Sequence, residues 1–315
     1  MLRRARHALE YAALLGVREA VRHLPPERAL AVGSAIGRSY ARARGPRTQD
    51  ALCNLSLAFP DWTPGERERV LEDSFANLGR HLAELCLLHG PHRDRLLAGV
   101  EVEGQDHYHA ARARSESGGF IGLTAHFGSW ELCGAAMSGR GYPVSVVHHG
   151  LSNPWVEAMV SGWRRAAGVH EIQLGRASMG VFRALSEGRV VAMLLDQNAR
   201  RDEGVFAPFF GQQALTRSGP ANIAMSRGVP VLPVFIFRVG DTPRHVVRMR
   251  APLDLEQDPE NPESALGRNV ARMNAVIEEA VREAPDHWLW PHRRFKTRPE
   301  GDPPLYPGRR RGRAA

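Results

Sequence analysis

From Val100 onward, short apolar runs alternate with segments whose apolar residues follow a helical period. Nearly continuous apolar strands that alternate with helices are typical of a parallel sheet covered on both faces. We therefore predict an α/β fold with a mainly parallel central sheet flanked by helices. The predicted strands are 119–124, 144–147, 190–195, 231–237 and 245–249, and helices are expected near 105–115, 130–138, 154–167, 177–187, 220–227 and 262–283.

The first 90 residues have a different pattern, which predicts a helical N-terminal extension over roughly 5–22, 27–43 and 64–89, with a loop around 59–62. Thr63 is expected to cap the third of these helices, because Pro64 suits the first helical position.

The change of pattern divides the chain into three predicted parts. Residues 1–95 are expected to form a helical region that associates with a membrane, and residues 96–300 the α/β domain. Residues 301–315 are rich in arginine, glycine and proline and are expected to form a disordered basic tail that reinforces contact with anionic lipid.

Polar residues follow three of the predicted strands. His126 follows the first strand, His148 and His149 the second, and 196–198, Asp-Gln-Asn, the third. Because ligands bind beyond the carboxyl ends of the strands in open α/β sheets, these side chains are expected to collect at one edge. No acid follows His148 or His149 at a comparable spacing, so we interpret them as pocket wall or ordinary loop residues.

Residues 124–131, Thr-Ala-His-Phe-Gly-Ser-Trp-Glu, give the strongest indication of chemistry. Imidazole is well suited to accepting a proton near neutral pH, and a nearby carboxylate can orient it and stabilise its cation. His126 and Glu131 converge if the histidine lies on the strand-to-helix turn and the glutamate in the first turn of a helix capped by Ser129. The alternative for Glu131 is a purely structural role, since the helix dipole also favours an acid there.

Arginine supplies nearly all of the positive charge, and the formal net charge is +8. A basic chain suits a nucleic acid, an anionic membrane surface, or an acidic carrier with a phosphorylated substrate. The sequence has no helix-turn-helix, zinc-finger or aromatic RNA-binding pattern, so nucleic acid is not an expected partner. Cys53, Cys86 and Cys133 are interpreted as free thiols in a reducing compartment, and no spacing indicates a metal site.

The N-terminal segment is basic and amphipathic. It has no uncharged stretch of 18 residues, so no transmembrane helix is predicted, and no small-residue cleavage site follows it. We expect a helix that lies on a membrane surface, while an ordinary packed helix is the alternative. The residues expected on its apolar side are Leu9, Ala13, Gly16 and Val17.

Four segments then occur in order. They are His-x4-Glu at 126–131, Leu-Leu-Asp-Gln-Asn at 194–198, Val-Phe-Ala-Pro-Phe-Phe-Gly at 205–211, and Trp-Leu-Trp-Pro-His-Arg-Arg-Phe-Lys-Thr-Arg-Pro at 288–299. Together they resemble the bacterial lipid A biosynthesis acyltransferases, the lauroyl and myristoyl transferases within the wider lysophospholipid acyltransferase group. The likeness covers most of the chain, and its last three segments are narrower signals than the first.

The resemblance implies a glycerolipid acyltransferase-like fold. It also implies an O-acyltransferase at the cytoplasmic face of the inner membrane, which moves a fatty acyl group from acyl carrier protein to a hydroxyl of a lipid A precursor, with no metal or other cofactor. His126 is then the expected general base and Glu131 its orienting partner. The chain has no Gly-x-Ser-x-Gly elbow, which favours direct attack of the hydroxyl on the thioester.

The resemblance also suggests residues that bind substrate. An arginine near Arg164 contacts a phosphate in related acyltransferases; the alternative is a solvated helix face. Asp196 and Gln197 are expected to border the active site, although Asp196 could instead pair with Arg200 or Arg201.

Three further segments carry candidate binding or structural residues. Phe206, Phe209 and Phe210 are not expected to form a regular strand, and they either wall an acyl-chain groove, for which Phe209 is the candidate, or pack in the core. Thr216 precedes a helix start whose amides could face an anion. The cluster at 288–294 is interpreted as a membrane-interface or structural anchor, not as catalytic.

Two other classes of function remain as alternatives. One is the same chemistry on another acceptor, such as a phosphatidylinositol mannoside-like glycolipid or a lysophospholipid. The other is a non-catalytic basic protein that binds lipid or nucleic acid. Loss of His126 or Glu131 would be the expected sign of the lipid-binding form, and both residues are present; the nucleic-acid-binding form rests on charge alone.

Overall fold

A computed structural model of the chain describes residues 2–173 and 177–306. The predicted helical N-terminal region is confirmed, and it contains two helices that the sequence pattern did not reveal, α3 and α5. The helices are α1 (Leu2–Arg22), α2 (Pro26–Arg42), α3 (Pro46–Ala58), α4 (Pro64–Leu87) and α5 (Arg93–Ala98).

Helix α4 begins as the sequence predicts. The Glu66 amide donates to the Thr63 hydroxyl, and the Thr63 amide donates to the Glu66 carboxylate at 2.7 Å. This capping box, with Pro64 at the first helical position, satisfies amide groups that the helix cannot pair internally.

Helices α2 and α4 cross with their backbones in contact. A Cβ atom added at Gly33 would collide with the backbone of Gly79, and one at Gly37 would collide with the backbone of Phe75. The opposite end of α4 is tied to the sheet by Glu84, whose carboxylate accepts from the Arg238 guanidinium, with one bond at 2.8 Å. The N-terminal helices and the sheet therefore share buried contacts.

The remainder of the chain alternates strands and helices as predicted. In order, the elements are β1 (Val100–Glu103), α6 (Gln105–Ala113), β2 (Phe120–Thr124), α7 (Trp130–Gly139), β3 (Val144–His148), α8 (Pro154–Ala166), β4 (His170–Gln173), α9 (Ala177–Ser186), β5 (Val190–Leu194), β6 (Gly204–Phe209), β7 (Gln212–Arg217), α10 (Gly219–Arg227), β8 (Val231–Arg238), β9 (His245–Met249), α11 (Pro262–Glu283) and a 3-10 turn at Pro285–His287.

Seven strands form the central sheet in the order β1-β9-β8-β2-β5-β3-β4. The five strands from β8 to β4 are parallel to their neighbours, whereas β9 runs antiparallel to β8, and β1 is parallel to β9. All five strands expected from the sequence are present, and the predicted fold class is confirmed. The two strands that the pattern did not reveal in this sheet, β1 and β4, are four-residue edge strands.

Strands β6 and β7 form a separate antiparallel hairpin. The expectation that the Phe206–Phe210 segment is not a regular strand was wrong, because β6 runs to Phe209. Phe210 and Gly211 form a two-residue turn with positive φ angles of 49° and 70°. Such a turn matches the right-handed twist of the paired strands. The Phe-Phe-Gly segment therefore ends β6 and forms the turn that leads into β7.

The segment after α11 lies inside the protein. Trp288, Trp290 and Arg294 are all almost fully buried, and Trp288 forms a bridge with Phe127 next to the His126 loop. Burial excludes the interpretation of this cluster as a membrane-interface anchor and confirms the structural one. Tyr306 packs against it, and its hydroxyl accepts from the Phe295 amide and donates to the side-chain oxygen of Asn54.

No helix in 2–173 or 177–306 combines the length and apolar character needed to cross a bilayer. The residues expected on the apolar side of α1, namely Leu9, Ala13, Gly16 and Val17, are exposed. The predicted basic tail falls largely at 307–315, outside the described residues. The three-part division of the chain stays a prediction.

Candidate active site

His126 lies on a short, tightly fixed loop between β2 and α7. Its carbonyl accepts from the Leu289 amide at 3.1 Å, and the Gly128 amide donates to the His287 carbonyl at 2.8 Å. Gly128 has a φ of 57°, and a Cβ atom there would collide with the Ile236 carbonyl. The loop is thus held between the sheet and the buried C-terminal segment, which fixes the histidine in place.

The partner of the His126 ring is Asp196. His126 Nδ1 lies 2.9 Å from Asp196 Oδ1, and the His126 amide donates to Oδ2 at 3.0 Å. The second oxygen also accepts from the Trp288 indole at 2.9 Å. Three donors therefore surround one buried carboxylate.

These contacts determine the ionisation of Asp196 and the tautomer of His126. Burial by itself would raise the pKa of Asp196, but the His126 ring and the indole of Trp288 lower it below the ordinary value. An ionised carboxylate only accepts hydrogen bonds, so His126 Nδ1 carries the proton and Nε2 carries the lone pair. The ring is held in the form of a general base.

The lone pair of His126 faces Gln197. The amide nitrogen of Gln197 lies 3.2 Å from His126 Nε2. Both side chains line the main cavity of the protein. This placement agrees with the expectation that Asp196 and Gln197 border the site. Arg200, which was the alternative partner of Asp196, pairs with Asp202 instead.

Glu131 is paired with Arg164 and not with His126. Arg164 Nη2 lies 2.5 Å from Oε1, and Arg164 Nε lies 3.1 Å from Oε2. Burial alone would raise the pKa of Glu131, but the hydrogen bonds and charge of Arg164, together with the nearby His81 and His126 rings, hold that pKa below its ordinary value. Arg164 also reaches Glu171 at 3.4 Å.

The predicted orientation of His126 by Glu131 therefore needs correction. Asp196 occupies the ring nitrogen that Glu131 was expected to hold, because the parallel pairing of β2 with β5 places Thr124 opposite Leu194. Two residues farther on, His126 and Asp196 leave the sheet side by side. Substrate binding by Arg164 stays a prediction; Arg164 and Glu131 both line the cavity.

The cavity has a volume of about 710 Å³ and extends along one face of the sheet, beneath α7. Alternate residues of the strands point into it, as expected for one face of a pleated sheet. At the His126 end its wall is polar, and at the opposite end it is apolar and aromatic. The sheet residues that line it include Phe120, Gly122, Thr124, Val144, Val146, Val190, Ala192, Leu232 and Val234, and those from α7 include Cys133, Gly134, Ala135 and Met137.

The far end of the cavity is formed by three aromatic rings. Tyr108 packs edge-on against Phe120 and Tyr142, with ring centroids 5.5 and 4.7 Å apart. Phe120 is the first residue of β2, whereas Thr124, the last, lies beside His126. The cavity therefore runs the length of β2 from the catalytic candidate to this aromatic end.

Charged and polar residues surround the mouth of the cavity, which is its polar end near His126. His149 Nε2 accepts from Arg217 at 2.7 Å, and Arg217 also pairs with Glu203 at 3.1 Å. His148 lies 3.5 Å from Glu171. The two histidines thus line the pocket, as expected, and each has a charged neighbour. Within 2–173 and 177–306, no group of three or more potential ligands is arranged to hold a metal ion.

Two predicted substrate-binding residues lie elsewhere. Phe209 is fully buried and packs against Phe210 and Trp288, so it belongs to the core and does not line the cavity. Thr216 is also fully buried; its hydroxyl accepts from Arg294 at 2.5 Å and from Asn274 at 3.1 Å. Both predictions are corrected for the same reason: the hairpin turns these side chains toward the buried C-terminal segment, where Arg294 contacts both of them.

A match to the family model of bacterial lipid A biosynthesis acyltransferases covers residues 2–297. The chain belongs to this family. It is 30% identical over 277 residues, 87% of each chain, to the lipid A biosynthesis palmitoleoyltransferase of Escherichia coli K12. It is 29% identical over 293 residues, 93% of each chain, to the lauroyltransferase of that organism. The corresponding myristoyltransferase is 25% identical over 303 residues, 94% of this chain and 90% of its own.

The suspected family is thus confirmed, and the protein is an acyltransferase. The sequence did not reveal two roles in the site, that of Asp196 as the partner of His126 and that of Trp288. The motif of Trp288 was recognised, but nothing in the local pattern indicates that its indole donates to Asp196, which lies 92 residues earlier. The only sequence signal is its position in the 288–299 segment, one of the four on which the resemblance rests.

Proposed function

We propose that this acyltransferase moves a fatty acyl group from acyl carrier protein to a hydroxyl of a lipid A precursor, with His126 as the general base. The observation that carries the proposal is the position of the His126–Asp196 pair. It lies at the polar end of an apolar cavity long enough for a hydrocarbon chain. A base beside a channel of this kind suits acyl transfer.

The reaction follows from the protonation states. The acceptor hydroxyl gives its proton to His126 Nε2 while its oxygen forms a bond to the thioester carbonyl carbon. The C–S bond then breaks, and the departing thiolate takes the proton from the imidazolium. Asp196 favours both steps, because a buried carboxylate 2.9 Å from Nδ1 stabilises the transient cation.

The acyl chain of the donor would lie in the apolar part of the cavity. Its walls there are aliphatic and aromatic, and Gly122, Gly134 and Ala192 leave the middle open. Each methylene transferred from water into such a channel contributes about 0.8 kcal/mol. The carbonyl end of the chain would then remain near His126, at the polar mouth.

Charge and surface features support the choice of partners and location. The net charge of +8 would speed encounter with acidic acyl carrier protein and with anionic lipid. Arg164 and Arg217 at the mouth are suited to phosphate groups of the acceptor. The exposed apolar side of α1, with Arg4 and Arg6 nearby, suits attachment to the cytoplasmic face of the inner membrane.

The test uses the purified full chain, acyl carrier protein loaded with a lauroyl group, and three acceptors in separate reactions: a tetra-acylated lipid A precursor, a lysophospholipid and a phosphatidylinositol mannoside. Mass spectrometry should show one added acyl group on the lipid A precursor. Acylation of either other lipid, with the precursor unchanged, would assign the enzyme to that acceptor instead. A parallel reaction with lauroyl-coenzyme A as the donor shows which carrier the enzyme uses, because the proposal expects transfer from acyl carrier protein.

A further inference from the structure

The lone pair of His126 is occupied in the structure. Because Nδ1 donates to Asp196, Nε2 has one lone pair, and the Gln197 side-chain amide nitrogen lies 3.2 Å from it, where it can donate a hydrogen bond. An acceptor hydroxyl needs the same lone pair to lose its proton. Gln197 and the acceptor therefore compete for one position.

The contacts of Gln197 suit a side chain that moves while its backbone stays. Its carbonyl oxygen is reached by Arg294 Nη1 at 3.5 Å, and the next amide, that of Asn198, donates to His292 Nε2 at 3.0 Å. Within the described part of the chain, the side-chain amide of Gln197 makes a single hydrogen bond, the one to His126 Nε2. Rotation of the Gln197 side chain would free His126 Nε2 from this hydrogen bond without a change in the backbone.

We propose that Gln197 masks the general base until the acceptor lipid displaces it, and that this suppresses hydrolysis of the acyl donor. The proposal rests on the assignment of His126 as the base. Hydrolysis needs the same atoms as transfer: water gives a proton to Nε2, its oxygen bonds to the carbonyl carbon, the C–S bond breaks, and the thiol leaves with that proton. An unmasked base would serve water and acceptor alike.

Binding energy separates the two nucleophiles. A large acceptor contacts the mouth through groups remote from its hydroxyl, and that binding energy can break the Gln197–His126 hydrogen bond. Water has no remote groups, so it must displace the amide without such compensation. The Gln197–His126 hydrogen bond therefore favours attack by the acceptor over attack by water. The rate of hydrolysis can be lowered by no more than the strength of this one hydrogen bond allows.

The test compares Gln197→Met with the wild type. Methionine has a similar length and cannot donate to Nε2. The matched control is Gln213→Met, at an exposed glutamine on β7 that does not line the cavity. Each protein is given lauroyl-acyl carrier protein with and without the lipid A precursor, and free laurate and acylated lipid are quantified by mass spectrometry.

The proposal predicts that Gln197→Met raises acceptor-free hydrolysis roughly three- to tenfold, the range expected for loss of one neutral hydrogen bond. It also predicts a lower KM for the acceptor, because a competitor for Nε2 is gone. Unchanged hydrolysis, or a parallel fall of hydrolysis and transfer, would overturn it. Absence of transfer in the wild type would instead refute the proposed function, so the two failures are distinguishable.

Discussion

Tyr142 closes the far end of the cavity, and its replacement by alanine should lengthen the acyl chain that the enzyme prefers. The cavity follows β2 from Thr124 to Phe120. Four steps of about 3.3 Å along a strand span roughly 13 Å. With C–C bonds near 1.5 Å, an extended chain advances about 1.3 Å per carbon, so about ten carbons fit beyond the carbonyl.

The size of the effect follows from the same geometry. Removal of the Tyr142 ring opens space for about two more carbons, each worth about 0.8 kcal/mol when buried. The preference for a 14-carbon over a 12-carbon donor, expressed as a ratio of kcat/KM, should therefore change by about 1.6 kcal/mol, or roughly 15-fold. Gly134→Leu should shift the preference toward shorter acyl chains, because the leucine side chain would fill part of the cavity. The substitution itself is sterically tolerated, since a Cβ atom at Gly134 makes only an ordinary contact with Val169.

The assay is a competition among acyl carrier protein thioesters of 8 to 16 carbons, with the products resolved by mass spectrometry. Tyr142→Phe retains the ring and serves as the control. An unchanged product distribution in both Tyr142→Ala and Gly134→Leu, with turnover retained, would show that the acyl chain does not occupy this cavity.

Three further outcomes follow from the buried charges. Asp196→Asn should lower kcat about 10²–10⁴-fold, measured by initial rates, because an amide no longer enforces the Nδ1–H tautomer of His126. Glu84→Gln should destabilise the protein by about 3–5 kcal/mol in urea unfolding, since Arg238 would keep a buried charge without its partner. Asp196 and Glu131 have pKa values below the ordinary ones, so their contribution to stability is present above about pH 4 and lost as the pH falls further. Unfolding at pH 3 and pH 6 should show this loss, with a smaller difference in Asp196→Asn.

The sheet could be predicted largely from the sequence because its central strands are nearly continuous apolar runs. The edge strands β1 and β4 could not, because each is only four residues long and half exposed. The β6–β7 hairpin was obscured by Gly204 and Pro208, which are more common outside strands. Its Phe210–Gly211 turn is the signal that could have identified it.

The histidine of the candidate site could also be predicted, but its partner could not. Glu131 is close to His126 in sequence, whereas Asp196 becomes its neighbour only through the register of β2 and β5. A one-residue change in that register would turn the Asp196 side chain to the other face of the sheet. Sequence alone identified both acids and did not determine which one reaches the ring.

The most direct test of the account is the rate of acyl transfer to the lipid A precursor by His126→Ala, measured with lauroyl-acyl carrier protein and a correctly folded variant. Loss of the base should lower kcat by at least about 10²-fold, while donor binding, which depends on the apolar cavity, stays within a few-fold of the wild type. Transfer at the wild-type rate by this variant would contradict the assignment of His126 as the group that deprotonates the acceptor.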